Sequence, residues 1–319
     1  MSFITNIRSV AKYESKILVR SWFFRIFTLL AVVFLGFFNF AMMLMEDNFG
    51  LWFAKSVSSN IPYLNLLLLN TGQAVVAVFL SSEFLKRDKK LDTSEVFYVR
   101  PLSNAEYVVG KIWGNLRVFL FLNLLVLAIV LAFNFMASGV TVDLPAYLIY
   151  FFLISIPTLI FIIGLSIFLM LLLKNQALTF ILLLGYIGLT LFYIQDKFYY
   201  LFDYMVYNLP LFKSTIVGFS NLELILNHRA IYFFAGLGFI FFTIFLFKRL
   251  PNARRSHYPW LFLSFCMFLL MVTAGFRHVR SILREGEMRA LYTSINNKYV
   301  YEPKMAIDYY DISVEQKSE

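Results

Sequence analysis

Residues 86–111 read Lys-Arg-Asp-Lys-Lys-Leu-Asp-Thr-Ser-Glu-Val-Phe-Tyr-Val-Arg-Pro-Leu-Ser-Asn-Ala-Glu-Tyr-Val-Val-Gly-Lys, a charged stretch set between two long apolar runs. In a chain otherwise suited to lipid, such a segment must lie in water. Its own pattern says that it folds there. Asp92 precedes Glu95 by three residues, and Ser103 precedes Glu106 by three. At that spacing a small polar side chain and a carboxylate satisfy the free amides of a helix start. Between the two boxes, Arg100-Pro101 holds the residue before proline extended and ends the first helix. The segment predicts a helix of about two turns over 92–99, then a turn, then a second helix that runs into the next apolar stretch. A short aqueous helix between two membrane segments is a docking element.

Composition points the same way. Of 319 residues, 60% are hydrophobic and 15% charged, which leaves too little polar surface to cover a soluble protein of this size. Much of the Tyr lies near the ends of apolar runs, where an amphipathic ring suits the headgroup layer. The formal charge of +9 is carried by basic residues clustered beside those runs. That is the pattern of positive cytoplasmic loops, not of a nucleic-acid surface. Cys266 is the single cysteine, so an intrachain disulfide or a cysteine metal cluster is excluded. The first apolar run starts near Trp22 and is about twenty residues long, a spanning length rather than a cleavable leader core.

Six to seven spanning helices follow, in an all-α polytopic membrane protein: about 23–45, 64–85, 109–137, 147–173, 176–194, 230–247 and 259–276. Lys174-Asn175-Gln176 must form a tight turn between two of them. Basic residues before the first span, after the second and after the sixth place the N-terminus inside, and the stretches 46–63 and 138–145 are poor in them. An odd number of crossings puts the C-terminal tail outside. Before the first crossing, Arg8, Lys12, Lys16 and Arg20 recur every fourth residue. They form one cationic stripe on an amphipathic helix able to lie on the inner surface against anionic headgroups. The aromatic-rich stretch from Gln195 to Arg229 is expected outside, as an interfacial or re-entrant hairpin or as a loop packed on its neighbours.

No phosphate-binding glycine loop, paired-histidine zinc motif or nucleophile elbow occurs. No catalytic residue, metal or cofactor is expected, and the chain is read as not an enzyme. His228, His257 and His278 are scattered in loops and near helix ends without ligand-like spacing. The crossings read as nearly free of charge, with Arg117 near the inner end of the third, which disfavours a proton-coupled carrier. Polar residues within the spans are few. Asn65, Asn70, Thr71 and Gln73 lie in the second, Asn115 and Asn123 in the third, and Pro157 breaks the fourth. Inter-helix hydrogen bonding is their ordinary role. Lining a path for an amphiphilic substrate is the sharper reading for Asn65, Asn70, Gln73, Asn115 and Pro157.

In order along the chain, a basic elbow helix, a charged inter-span segment and an aromatic outer loop resemble the permease subunit of an ABC-2-type ATP-binding-cassette transporter. In the middle segment the resemblance rests on Arg87-Asp88, the short helix from Asp92 to Val99, Pro101, Ser103 and Gly110-Lys111. It covers residues 5–248. It implies a separate ATPase subunit docking on 86–106, with Asp92, Glu95, Arg100, Pro101, Ser103, Glu106, Gly110 and Lys111 transmitting its motion. It also implies a second permease half or a homodimer, and a place in a bacterial cytoplasmic (inner) membrane, with export as the expected direction. The expected divisions are an amphipathic helix over 1–22, a six-helix domain over 23–248, a basic loop and seventh crossing over 249–276, and an extracytoplasmic tail over 277–319. Past 248 the chain departs from the pattern and resembles the start of a second half. In the tail, Arg277 to Tyr292 reads as an amphipathic helix, and Tyr309 to Val314 alternates as a strand with no partner in the chain. That leaves a second role open, as a membrane anchor or scaffold for an extracytoplasmic peptidase-like domain.

Overall fold

The computed structural model describes residues 3–44, 57–82, 102–136, 141–209, 211, 213–214, 218–219, 221–247, 258–302 and 309. The first predicted capping box (Asp92 with Glu95), Arg100, Pro101, His257 and the 310–314 part of the expected strand lie outside the described residues. The chain divides into two compact units, Met1–Val279 and Arg280–Glu319.

The first unit is helical. Helix α1 spans Phe3–Arg20, and α2 spans Trp22–Leu44. Next come α3, Asn60–Ser82, and α4, Asn104–Met136. Helix α5 runs Leu144–Leu173 and α6 Gln176–Ile194. Helix α7 is Leu222–Leu246, and α8 is Tyr258–Lys298. The helices α2 to α8 are long and apolar enough to cross a membrane. The chain is therefore an all-α, seven-span membrane protein.

Two boundaries follow directly from local chemistry. Lys174 ends α5 in the left-handed region (φ 53°), and the Asn175 side chain then caps α6 by accepting from the amides of Ala177 (3.0 Å) and Leu178 (3.3 Å). This is the tight turn that the sequence demands. Proline at 157 does not break its crossing as expected. The helix stays continuous through a π-turn at Phe151–Ser155, just before the proline, which accommodates the missing amide.

The core is built on α5 against α7, with α3 and α4 beside them. The first pair touches backbone to backbone. A Cβ on Gly236 would stand 2.7 Å from the carbonyl of Ile160, and one on Gly164 would stand 2.7 Å from the Gly236 oxygen. Small residues of this kind let membrane helices approach closely where no hydrophobic effect drives them together. Helix α2 is different. Only Phe24, Leu35, Asn39 and Met42 are buried, and its aromatic and aliphatic face is exposed.

After α6 the chain does not form a free loop. Phe198, Tyr199 and Tyr200 are consecutive left-handed residues (φ 52°, 59° and 62°). The chain then folds inward, burying Tyr204, Met205, Val206, Leu209 and Leu211. It ends in an antiparallel pair, β1 Lys213–Ser214 with β2 Gly218–Phe219, in which Lys213 faces Phe219. The described part of the stretch packs on its neighbours. Helix α7 begins at Leu222 rather than near 230, so His228 and Arg229 belong to the crossing and not to the loop.

Helix α8 lies along α7 within the first unit. Ser264 Oγ donates to the Gly238 carbonyl (2.9 Å), and the Phe268 ring fills the space beside Gly238. Beyond Val279 the helix runs on to Lys298, so the stretch from Arg277 to Tyr292 is helical as read. In the second unit it is exposed and carries an Arg289–Glu285 pair at 2.6 Å.

Candidate functional site

Three groups of polar side chains stand out, one near each end of the bundle and one between. The first lies where the charged segment enters α4. Ser103 and Glu106 form the predicted capping box: the Glu106 amide donates to Ser103 Oγ (3.1 Å), and the Ser103 amide donates to Glu106 Oε2 (2.6 Å). The other carboxylate oxygen accepts from Asn6 Nδ2 of α1 at 2.9 Å. The box thus starts α4 and ties it to the elbow helix.

From there α1 lies along the first turns of α4. A Cβ on Gly110 would meet Val10 Cβ at 2.7 Å, and one on Gly114 would meet the Ala11 carbonyl at 2.9 Å, so both glycines are needed for the approach. Lys111 forms an ion pair with Glu14 at 2.7 Å, with side-chain exposures of 1% and 4%. Ser15 Oγ donates to the Gly114 carbonyl (2.7 Å), and Arg117 reaches back to donate to Ser15 and to the Ala11 carbonyl. Gly110 and Lys111, read from sequence as part of the docking segment, sit inside this joint. Arg8, Lys12, Lys16 and Arg20 are all exposed, on the face of α1 turned away from the buried Val10, Ala11, Glu14 and Leu18.

The second group is a seam of amides between α2, α3, α4 and α5. Asn39 and Asn65 exchange side-chain hydrogen bonds at 2.7 and 3.0 Å. Asn70 donates to Asn123 Oδ1 (3.1 Å) and Ser155 Oγ (3.2 Å), and Asn123 donates to Gln73 Oε1 (2.8 Å). Asn65, Gln73, Asn123 and Ser155 are wholly buried. Among the described residues, Asn70 Oδ1 and Gln73 Nε2 have no hydrogen-bond partner, so the seam holds one spare acceptor and one spare donor. Of the five residues read as path-lining, Asn65, Asn70 and Gln73 are thus turned towards other side chains. Asn115 is buried on α4, and Pro157 follows the π-turn.

The third group lies towards the opposite end and was not foreseen. Arg229 is buried, 2% exposed, and corrects the reading that the crossings are nearly free of charge. Because Pro157 has no amide hydrogen, the Leu153 carbonyl loses its helical donor. Arg229 Nε supplies one at 2.6 Å. Its other nitrogens donate to Tyr204 O (2.9 Å), Thr158 Oγ1 (2.8 Å) and Ile154 O (3.3 Å). One guanidinium therefore stitches α7, the proline turn of α5 and the inward-folded segment together. Asp203 sits in that segment with its carboxylate accepting from the amides of Tyr207 and Asn208, each at 2.8 Å. Burial raises the Asp203 pKa above the usual carboxylate range, opposed by those amides and by the positive charge of Arg229.

Two of the scattered histidines meet here. The rings of His228 and His278 lie 5.0 Å apart. Nε2 of His228 is 3.0 Å from the Tyr200 carbonyl, and Nε2 of His278 is 2.9 Å from that of Tyr199. The left-handed turn is thus held by one donor from each helix, and the Tyr232 hydroxyl donates to Leu201 O just after it. The histidines serve the backbone. Among the described residues, no group of three His, Cys, Asp or Glu side chains converges as a metal site.

Sequence signals for these residues existed but were weak. Glu14 is the one acid in a cationic helix and falls on its apolar face. A proline within a crossing calls for an outside donor, and Arg229 directly precedes the predicted sixth crossing. No family model matches the chain, and no curated protein matches it either.

Proposed function

We propose that the chain is the membrane-spanning permease subunit of an ABC-2-type ATP-binding-cassette transporter. In this reading it works as an exporter in a bacterial cytoplasmic membrane, driven by a separate ATPase that docks on residues 86–106. The observation that carries the reading is the joint between α1 and the start of α4. The charged segment leads into α4 through the Ser103–Glu106 box, and α4 is bonded at that point to α1 through Asn6, Glu14 and Ser15. A force applied to the segment would act on a stiff two-helix unit, not on a loose loop. The amide seam beside it, with its spare donor and acceptor, could exchange partners as helices shift without leaving every buried amide unpaired. A second permease half, as another copy or as a longer chain, completes the path.

The test is reconstitution of the chain with an ATP-binding-cassette ATPase that co-purifies with it. Glu95→Lys and Asp92→Lys should leave membrane insertion intact and abolish the stimulation of ATP hydrolysis by the permease. Unchanged stimulation and flux in both variants would remove the docking assignment. A monomer that transports with no second half would remove the two-half assembly.

A further inference from the structure

We infer that the cationic face of α1 is a binding surface for anionic phospholipid headgroups of the cytoplasmic leaflet, and that lipid bound there braces the start of α4. The inference needs only the membrane placement and not the ATPase reading. Three observations fix the level and chemistry of this face. First, α4 has 33 residues, about 50 Å of helix, against a hydrocarbon core of about 30 Å. Its charges, Glu106, Lys111 and Arg117, all fall in its first fourteen residues, and 118–136 carries none. The hydrocarbon therefore begins near Arg117, and α1, which packs on Glu106 to Arg117, lies in the headgroup layer.

Second, α2 starts at Trp22, directly after α1, with that indole 76% exposed, and Trp113, within the stretch of α4 that carries its charges, is 48% exposed. Two exposed tryptophans mark an interface. Third, Arg8, Lys12, Lys16 and Arg20 face away from the protein, and none has an acidic partner among the described residues. The only acid on α1, Glu14, is already paired with Lys111. Four cations on one helical face at headgroup depth, without an acidic partner among the described residues, match a row of lipid phosphates. The opposite face is bonded to α4, so neutralising the cations holds both helices.

The probe is quenching of Trp22 and Trp113 by brominated lipid, in the full chain carrying Trp52→Phe and Trp260→Phe. Vesicles of phosphatidylcholine are doped with a minor fraction of brominated phosphatidylglycerol or of brominated phosphatidylcholine. Each surface cation favours an anionic neighbour by roughly fivefold, so the glycerol lipid should quench severalfold more strongly. High salt, which shortens the Debye length to about 3 Å at 1 M, should erase the excess. Arg8→Gln, Lys12→Gln, Lys16→Gln and Arg20→Gln combined should erase it too, and Arg8→Lys with Arg20→Lys should keep it. The wild-type comparison stands even if the fourfold variant does not insert. Equal quenching by the two lipids, as expected if the face binds an acidic protein or only water, would overturn the inference.

Discussion

Replacing Arg229 by methionine is the sharpest test of how the far end of the bundle is held. Methionine keeps much of the volume and removes every donor. Three carbonyls, at Leu153, Ile154 and Tyr204, then lose a partner in a place closed to water. A buried acceptor left without a donor costs about 1–3 kcal/mol. Ile154 O, at 3.3 Å, has least to lose, and Tyr204 O keeps the Thr158 hydroxyl as a donor at 3.3 Å, so Leu153 O carries most of the loss. Asp203 also loses the positive charge that favours its carboxylate. The sum is about 3–5 kcal/mol, as for removing one member of a buried charged network. That corresponds to a fall of roughly 10 °C in Tm. Thermal unfolding in detergent, read by exposure of Cys266 to a fluorogenic thiol dye, gives the number. Pro157→Ala returns an amide hydrogen to the Leu153 carbonyl, so Arg229→Met should cost less in that background, by about 1–2 kcal/mol. Strict additivity of the two substitutions, or an Arg229→Met protein as stable as the wild type, would show that the guanidinium does not serve the proline turn.

At the α1–α4 joint, Gly114→Leu places atoms against the Ala11 carbonyl, which cannot yield as a side chain would. It should unseat α1, with proteolysis of residues 3–20 in detergent rising sharply while α2 to α8 stay protected. The raised pKa of Asp203 means that folding favours its protonated form, so its contribution is fully present below about pH 4 and falls as pH rises through the folded value. Asp203→Asn should therefore gain in Tm relative to the wild type between acidic and neutral pH, and an unchanged difference would count against it. For orientation, single cysteines in a Cys266→Ser background should be labelled from the cytoplasmic side at 88 and 254 and from the outer side at 47, 143 and 302. Cytoplasmic labelling at 302 would remove one crossing from the topology.

Seven crossings, the Lys174–Gln176 turn and the Ser103–Glu106 cap were legible because each depends on residues within a few positions of one another. Arg229 was not. The aromatic, proline-interrupted stretch before it reads as loop, and its partner carbonyl on α5 is 76 residues away. That carbonyl is free only because Pro157 follows it, and sequence can state the need without naming the donor. The histidines failed for a related reason, since a spacing rule within one helix says nothing about two helices meeting at a left-handed turn. The amides were recognisable as inter-helix glue, but which amide meets which depends on helix rotation. Gly110 and Lys111 were noticed as a motif and assigned to docking. Their contacts with Val10 and Glu14 show a local structural demand for both.

Helix α1 also has a history during synthesis. Its principal contacts, Ser15 with Gly114 and Arg117 with Ala11, join residues 99 and 106 positions apart. At about 5–20 residues per second, the ribosome needs roughly 5–20 s to deliver the partner helix after α1 has emerged. For that interval Glu14 has no Lys111, and the face of α1 that will be buried must wait at the membrane surface. The cations on the opposite face give the nascent helix a provisional berth there, so that α1 is already lying in the right layer when α4 arrives to claim it.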